Sequence, residues 1–262
     1  MKKIVLISLS AVTTMLLTTG CSTHQVEVED TAAHHTEHKA HWGYEGKYSP
    51  AHWGEMKEEF AMCSKGKMQT PINIVPTQDI DVKALDFEYN TNATNVVNNG
   101  HTVQVNVASG SKVIIDGKAY ELKQFHFHTP SENNINGNEY PLEAHFVHAT
   151  KDGDLAVVAV MFKEGKENPI LAKIWSKFPL EQNKPVSIDL STLDIQEIMP
   201  SNKEYYKFMG SLTTPPCSEN VKWNVFKTTM TISKEQVKQF FNIFGHTNNR
   251  GLQDINGRAI FE

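Results

Sequence analysis

KVIIDGKAYELKQFHFHTP, Lys112–Pro130, decides how this chain folds and where its chemistry sits. Asp116-Gly117 favours the positive-φ backbone of a two-residue turn. The runs on either side, Lys112–Ile115 and Ala119–Phe127, read as the two arms of a hairpin. In a strand, residues two apart share a face. Gln124, His126 and His128 therefore point one way, and Phe125 and Phe127 point the other, into apolar packing. Pro130 stops the run.

The same punctuation recurs along the chain. Asn99-Gly100, Asn136-Gly137 and Asp152-Gly153 are further short-turn dipeptides. Val103, Val105 and Val107 alternate with polar residues, and Leu142–Ala149 and Leu155–Phe162 flank Asp152-Gly153 as a second hairpin. Leu155–Phe162 lacks alternation, which predicts a central strand covered on both faces. Two helices are expected. One starts at Pro169, with Ile170, Ile174, Trp175 and Phe178 on one side. The other starts at Ser233, with Gln236 completing a capping box and Val237, Phe240, Phe241 and Phe244 as its buried stripe. The fold class is α+β, a single domain built on a large, mostly antiparallel twisted β-sheet with peripheral short helices. It occupies residues 41–262, and no internal repeat or second domain is visible.

The first residues read differently. Met1-Lys2-Lys3, an apolar run from Ile4 to Leu17 and the small residues before Cys21 form a secretory signal over 1–20. The run is too short and too rich in Ser and Thr for a membrane-spanning helix. Gly20-Cys21 suits a lipoprotein cleavage site at which Cys21 is acylated, with Thr18 where leucine is usual; plain secretion is the alternative. Residues 21–40 carry His24, His34, His35 and His38 without apolar periodicity, and read as a disordered tether, able to hold a metal loosely or simply solvated. The chain has 262 residues and a formal net charge of −5, a mild balance that argues against nucleic acid as partner. With Cys21 set apart, Cys63 and Cys217 remain, and an even pair in an exported protein reads as a disulfide, with two buried thiols as the alternative.

The histidines carry the chemistry. In LEAHFVHAT, Glu143, His145 and Val147 share one face, and Ala144, Phe146 and His148 the other. If this strand neighbours Lys112–Pro130, then His126, His128 and His145 converge. Three neutral imidazoles with a fourth position open suit Zn²⁺, and would also accept cobalt. A bare HxH is more often a pair of half-buried histidines than a ligand pair. Gln124 and Glu143, each two residues before a histidine and on its face, favour ligation, because a zinc-bound imidazole needs an acceptor on its second nitrogen. Glu143 in an apolar strand is otherwise an awkward buried charge.

QFHFHTPSE, PLEAHFVH, VVNNGH, GSLTTPPCSE and HWGYEG together resemble the alpha-class carbonic anhydrases, in particular their exported bacterial branch, from about His41 to the C-terminus. The resemblance implies one zinc ion per chain on His126, His128 and His145, with Gln124, Glu143 and His148 behind them, although His148 faces away in the strand reading. It implies reversible hydration of CO₂ to bicarbonate by a zinc-bound hydroxide, a carbonate dehydratase (lyase) activity. Thr213 would accept a hydrogen bond from the hydroxide, Glu132 would take the threonine's proton, and His101 would shuttle the released proton out. Tyr44, Asn99 and Gln104 fall on positions that order cavity water, Gln104 standing where some relatives have asparagine. Val147, Val157, Leu212, Val221 and Trp223 fall on the apolar wall for CO₂, and Thr214 on a position that contacts anions and inhibitors. Cys63 and Cys217 match the disulfide of exported members.

An enzyme is thus weighed against a catalytically dead binding module, which usually lacks a zinc histidine, and against zinc handling by the His-rich tether. The expected partners are CO₂ and bicarbonate, with a lipid anchor if Cys21 is acylated; relatives of this branch are often dimers. The expected location is exported, periplasmic or membrane-anchored.

Overall fold

In this computed structural model the chain is described over residues 41–262, apart from residue 179. The signal over 1–20, Cys21 and the tether over 21–40 lie outside the described residues.

The strands, in chain order, are β1 (Asn73–Ile74), β2 (Asp86–Glu88), β3 (Ala93–Asn98), β4 (Val103–Val107), β5 (Lys112–Ile115), β6 (Lys118–His128), β7 (Asn134–Ile135), β8 (Leu142–Ala149), β9 (Leu155–Glu164), β10 (Val186–Ser187), β11 (Tyr205–Ser211), β12 (Glu219–Phe226) and β13 (Met230–Ile232). All but β1 and β7, which pair with each other, belong to one eleven-stranded sheet with the path β10-β3-β4-β6-β8-β9-β12-β11. The pairing is antiparallel except where β9 meets β12 and β13. The α+β reading on one large sheet therefore holds.

The turn that opened the sequence reading forms as its residues require. Asp116 and Gly117 have φ of 54° and 82°, the left-handed pair of a tight hairpin, and Lys118 sits opposite Ile115. Further along β6 the alternation changes phase. Tyr120 and Leu122 face the same core as Phe125 and Phe127, across a register irregularity between Leu122 and Gln124. One extra residue in the strand lets both apolar pairs stay inside. Without it, either Leu122 or the two phenylalanines would stand on the histidine face.

β9 separates two cores. Ala156, Val158, Val160 and Phe162 enter a larger core, while Val157, Ala159 and Met161 enter a smaller one with Phe208, Val221 and Trp223. This is the strand covered on both faces that its unbroken apolar run predicts. After two short helices, α1 (Trp53–Met56) and α2 (Met62–Lys65), three more close the larger core: α3 (Pro169–Trp175), α4 (Thr192–Glu197) and α5 (Lys234–Phe244). Asn168 caps α3 by accepting from the Ile170 and Leu171 N–H groups, and Ser233 with Gln236 caps α5. Gln236 also exchanges hydrogen bonds with the Asn168 backbone, tying the two helix starts together.

Two sequence expectations need correction. Phe241 is 37% exposed, whereas Gln236 is 3% exposed. The inward face of α5 is centred between Gln236 and Phe240, because the paired Gln236 amide can be buried at little cost; this swings Phe241 to the rim. Phe178 lies beyond the end of α3, although its ring stacks on Trp175.

Candidate metal centre

β6 and β8 pair so that His126 stands directly opposite His145. The side-chain period of two then brings His128 onto the same face. The three rings lie 4.7–5.3 Å apart by centroid, and one ligating nitrogen from each falls within 4.8 Å of the others.

Each imidazole has its other nitrogen beside an acceptor. His126 Nδ1 is 2.8 Å from Gln124 Oε1, and His128 Nδ1 is 2.7 Å from the Asn248 carbonyl. His145 Nε2 is 2.9 Å from Glu143 Oε1, a close contact outside good hydrogen-bond geometry. Donation from those nitrogens leaves Nε2, Nε2 and Nδ1, respectively, as the lone-pair atoms facing the centre. Glu143 is itself held by three donors: the Glu132 and Asn133 N–H groups on Oε2 and the Asn133 amide on Oε1, each at 2.8 Å.

Burial lowers the pKa of all three histidines, so each stays neutral, the form that binds metal. Burial also pushes Glu143 up to about 7 and Glu132 up to about 8, against the pull of their hydrogen-bond donors. His128 Nε2 and Glu132 Oε2 are buried without a hydrogen-bond partner, 3.5 Å apart. Neutral nitrogens with unused lone pairs beside two carboxylates form a donor set that a divalent cation satisfies.

The other predicted residues gather around this centre. Tyr44, Asn99, His101, Gln104, Gln124, His126, His128 and Thr214 line a cavity of about 120 Å³. Asn99 Nδ2 donates to Gln104 Oε1 at 3.3 Å, and the Tyr44 hydroxyl is buried without a partner. Val157, Val221 and Trp223 pack into the smaller core with Val147 and Leu212 at its edge, and Trp223 stands edge-on to His145 at 4.9 Å. Thr213 is buried, and its proximity to Glu132 holds that carboxyl's pKa down in part. Cys63 and Cys217 are joined by a disulfide. His148 lies on the far face, its Nε2 2.7 Å from the Tyr89 hydroxyl, which fits the structural role that the strand parity assigns it.

Three features escape sequence reasoning. The acceptor behind His128 is a backbone carbonyl 120 residues away, and a carbonyl carries no residue signature. The Arg250 N–H holds Glu132 Oε1 at 2.9 Å, while its guanidinium, buried with the rest of the side chain, donates to Gln69 Oε1, Thr70 O and Cys63 O. The His101 ring lies flat on Trp42, 3.5 Å between centroids and 7° from parallel.

Comparison with known proteins agrees with this geometry. The model of the eukaryotic-type carbonic anhydrase family matches residues 48–262. A carbonic anhydrase of Pectobacterium atrosepticum is 45% identical over 84% of this chain and 90% of its own length. An alpha-carbonic anhydrase from Thermovibrio ammonificans, solved with the inhibitor sulfanilamide, superposes with a TM-score of 0.82 at 44% identity, covering 85% of this chain and 99% of that one. The Photobacterium profundum alpha-carbonic anhydrase gives 0.79 at 45% identity, covering 85% and 100%.

Proposed function

Since the chain belongs to the alpha, or eukaryotic-type, carbonic anhydrase family, an enzyme family of CO₂ hydration, we propose that it works through a zinc ion held by His126, His128 and His145. The observation that carries this reading is the convergence of three neutral imidazoles, each with its second nitrogen beside an acceptor. Zinc bound in such a site supplies hydroxide at neutral pH by lowering the pKa of a water to about 7, an effect for which carbonic anhydrase is the standard example.

The chain's own groups do the rest. Gln124, the Asn248 carbonyl and Glu143 fix the ring tautomers and angles. With its hydrogen committed to Glu132, Thr213 presents an oxygen lone pair that holds the attacking group in line with the substrate. Oε1 of Glu132 is already occupied by the Arg250 N–H, which leaves Oε2 for the threonine. CO₂ has no net dipole, and the apolar wall of Val147, Val157, Leu212, Val221 and Trp223 admits it without competing for its oxygens. Thr214 borders the place where bicarbonate forms. The proton released per turnover leaves through water ordered by Tyr44, Asn99 and Gln104 to His101.

The disulfide supports an exported enzyme. We assign 1–20 as its leader, Cys21 as the site of an anchoring acyl group and 21–40 as a tether. The test of the reaction is stopped-flow CO₂ hydration with metal analysis on the purified protein, beside His126→Ala. Hydration and zinc lost together in the variant are expected. A zinc-loaded wild type that hydrates no CO₂ overturns the reading.

A further inference from the structure

The Asn99–Gln104 contact in the cavity wall is the first link of a longer chain of side-chain amides. Oδ1 of Asn99 accepts the His101 and Thr102 N–H groups, at 3.0 and 2.9 Å. Backbone N–H groups only donate and cannot turn over, so the NH₂ end of Asn99 is the one left for Gln104, and it donates to Gln104 Oε1. Gln104 must then offer its own NH₂ outward, and Nε2 donates to Asn106 Oδ1 at 2.7 Å. Asn106 Nδ2 donates in turn to Asn95 Oδ1 at 2.8 Å, and Asn95 Nδ2 to Thr94 Oγ1 at 3.1 Å. The Thr94 hydroxyl ends the chain by donating to the Asn106 carbonyl at 3.2 Å. Every amide link runs the same way, from the cavity outward.

The sheet builds this ladder. Gln104 and Asn106 share a face of β4 and stand opposite His126 and Gln124 on β6, and Asn95 of β3 stands opposite Asn106. Thr94 is the extra residue at a register irregularity between Ala93 and Asn95. Such a residue re-aims its side chain, here bringing a hydroxyl onto the last amide. A lone amide can turn over without changing shape, exchanging acceptor for donor. Were Gln104 to turn alone, its NH₂ would meet Asn99 Nδ2 and its oxygen would meet Asn106 Oδ1, a mismatch at both ends. Of these five residues only Asn99 and Gln104 line the cavity; the other three hold Gln104 from behind.

We propose that Asn106, Asn95 and Thr94 are positioning residues for proton transfer, fixing the Gln104 amide with its oxygen, not its NH₂, toward Asn99 and the water path to His101. This rests on His101 being the shuttle. An oxygen there takes a hydrogen from cavity water, whereas an NH₂ group gives one. The choice sets how that water is polarised, and a proton moves along water only where each molecule donates to the next.

Two measurements on the zinc-loaded full chain test it, with urea unfolding to show that each variant folds. In the first, side-chain amide signals are followed by NMR on ¹⁵N-labelled protein. Asn106→Val removes the middle link with a residue that suits a strand. It is expected to shift the NH₂ signals of Gln104 and Asn99; unmoved signals overturn the ladder. In the second, CO₂ hydration is measured at low and high buffer. Asn106→Val is expected to lower kcat at low buffer by about 10-fold, less than the ~10²-fold of a positioned acid–base group itself. kcat/KM should stay near the wild-type value, and added imidazole should restore the rate by taking the proton directly. An equal fall in kcat/KM, or a loss that imidazole does not restore, would make Asn106 a structural residue only. Asn106→Asp keeps an acceptor for Gln104 Nε2 and should recover most of the loss; a variant as slow as Asn106→Val overturns the claim that this acceptor sets Gln104. Behind His101→Ala, Asn106→Val should cost nothing further, since both act on one path, and an additive loss counts against it. Should Asn106→Val fail to fold, Asn95→Val, one link further out, carries the same test. If His101→Ala is slow at low buffer and Asn106→Val is not, the ladder has no part in proton transfer and the shuttle stands. If His101→Ala is not slow, the shuttle reading fails and this proposal with it.

Discussion

Glu143→Gln tests the link between sheet and metal most directly. Oε2 of Glu143 accepts two backbone N–H groups, from Glu132 and Asn133, both at 2.8 Å. Only the amide oxygen of a glutamine can take that place, so its NH₂ must occupy the place of Oε1. There it meets the Asn133 amide, which donates to Oε1 at 2.8 Å, and His145 Nε2 at 2.9 Å. Donor then faces donor twice. Asn133 can turn its amide, but His145 can relieve the clash only by moving its proton to Nδ1, the nitrogen that should face the metal. Zinc affinity is therefore expected to fall by about 10–100-fold, roughly 1.4–2.8 kcal/mol. Metal-free stability should change less, because the variant also removes a carboxylate that burial already disfavours. Competition against a chelator of known affinity measures the first quantity, and urea unfolding of the metal-free protein the second. Unchanged zinc affinity would refute the claim that Glu143 sets the tautomer of His145. An equal loss in both quantities would make Glu143 a stability element alone.

Three further outcomes are expected. Arg250→Met strands three buried acceptors, Gln69 Oε1, Thr70 O and Cys63 O; it should cost about 3–5 kcal/mol in urea unfolding, and a loss under 1 kcal/mol would show that water replaces the guanidinium. Reducing the Cys63–Cys217 bridge, which spans 154 residues, should lower stability by at most about 5 kcal/mol on the loop-entropy estimate and should slow hydration by freeing the loop that carries Thr213; unchanged melting and rate in reductant would count against both. Lys207 and Lys222 donate to Asp116 and hold its carboxyl below the usual range. Its contribution to stability is therefore present above the unfolded-state pKa and is lost as pH falls through the lower folded value. Asp116→Asn should cost at most about 1 kcal/mol at pH 7, since these groups are partly exposed, and nothing once the wild-type carboxyl is protonated; a pH-independent difference in urea midpoint would rule out the ion pairs as its source.

How much of this was written in the sequence depends on the range of each interaction. The β5–β6 hairpin was legible because Asp116-Gly117 and the alternation beyond it act within a few residues. His126 and His128 followed from strand parity, and His145 from the assumption that β8 neighbours β6. The irregularity at Leu122–Gln124 was not legible, because it is set by what both apolar pairs in β6 pack against, not by their order. The parallel pairing of β12 with β9 joins segments more than sixty residues apart and leaves no local mark in either. α4 was missed although Ser191 and Asp194 form a capping box. Its six residues bury only Ile195, too little to make a periodic pattern.

The same distinction applies to how the three-histidine cluster is held. Parity places the ligands, but their second nitrogens are answered from two ranges: Gln124 and Glu143 each from two residues before their own histidine, and Asn248 from the far end of the chain. Asn248 does more than present a carbonyl. Its side chain accepts from the Thr129 N–H at 2.8 Å and donates to the His101 and Phe127 carbonyls, each at 3.0 Å. One residue therefore ties the His128 ring to the end of β6 and to the backbone of the residue assigned as shuttle. Two positions further on, Arg250 joins Glu132 to the segments of Cys63 and Thr70. Residues 248–250 act as a clasp across the floor of the site. Polar networks of this kind hold ring angles only when every member is satisfied. A change in the clasp should therefore be felt first in zinc affinity and only later in the fold.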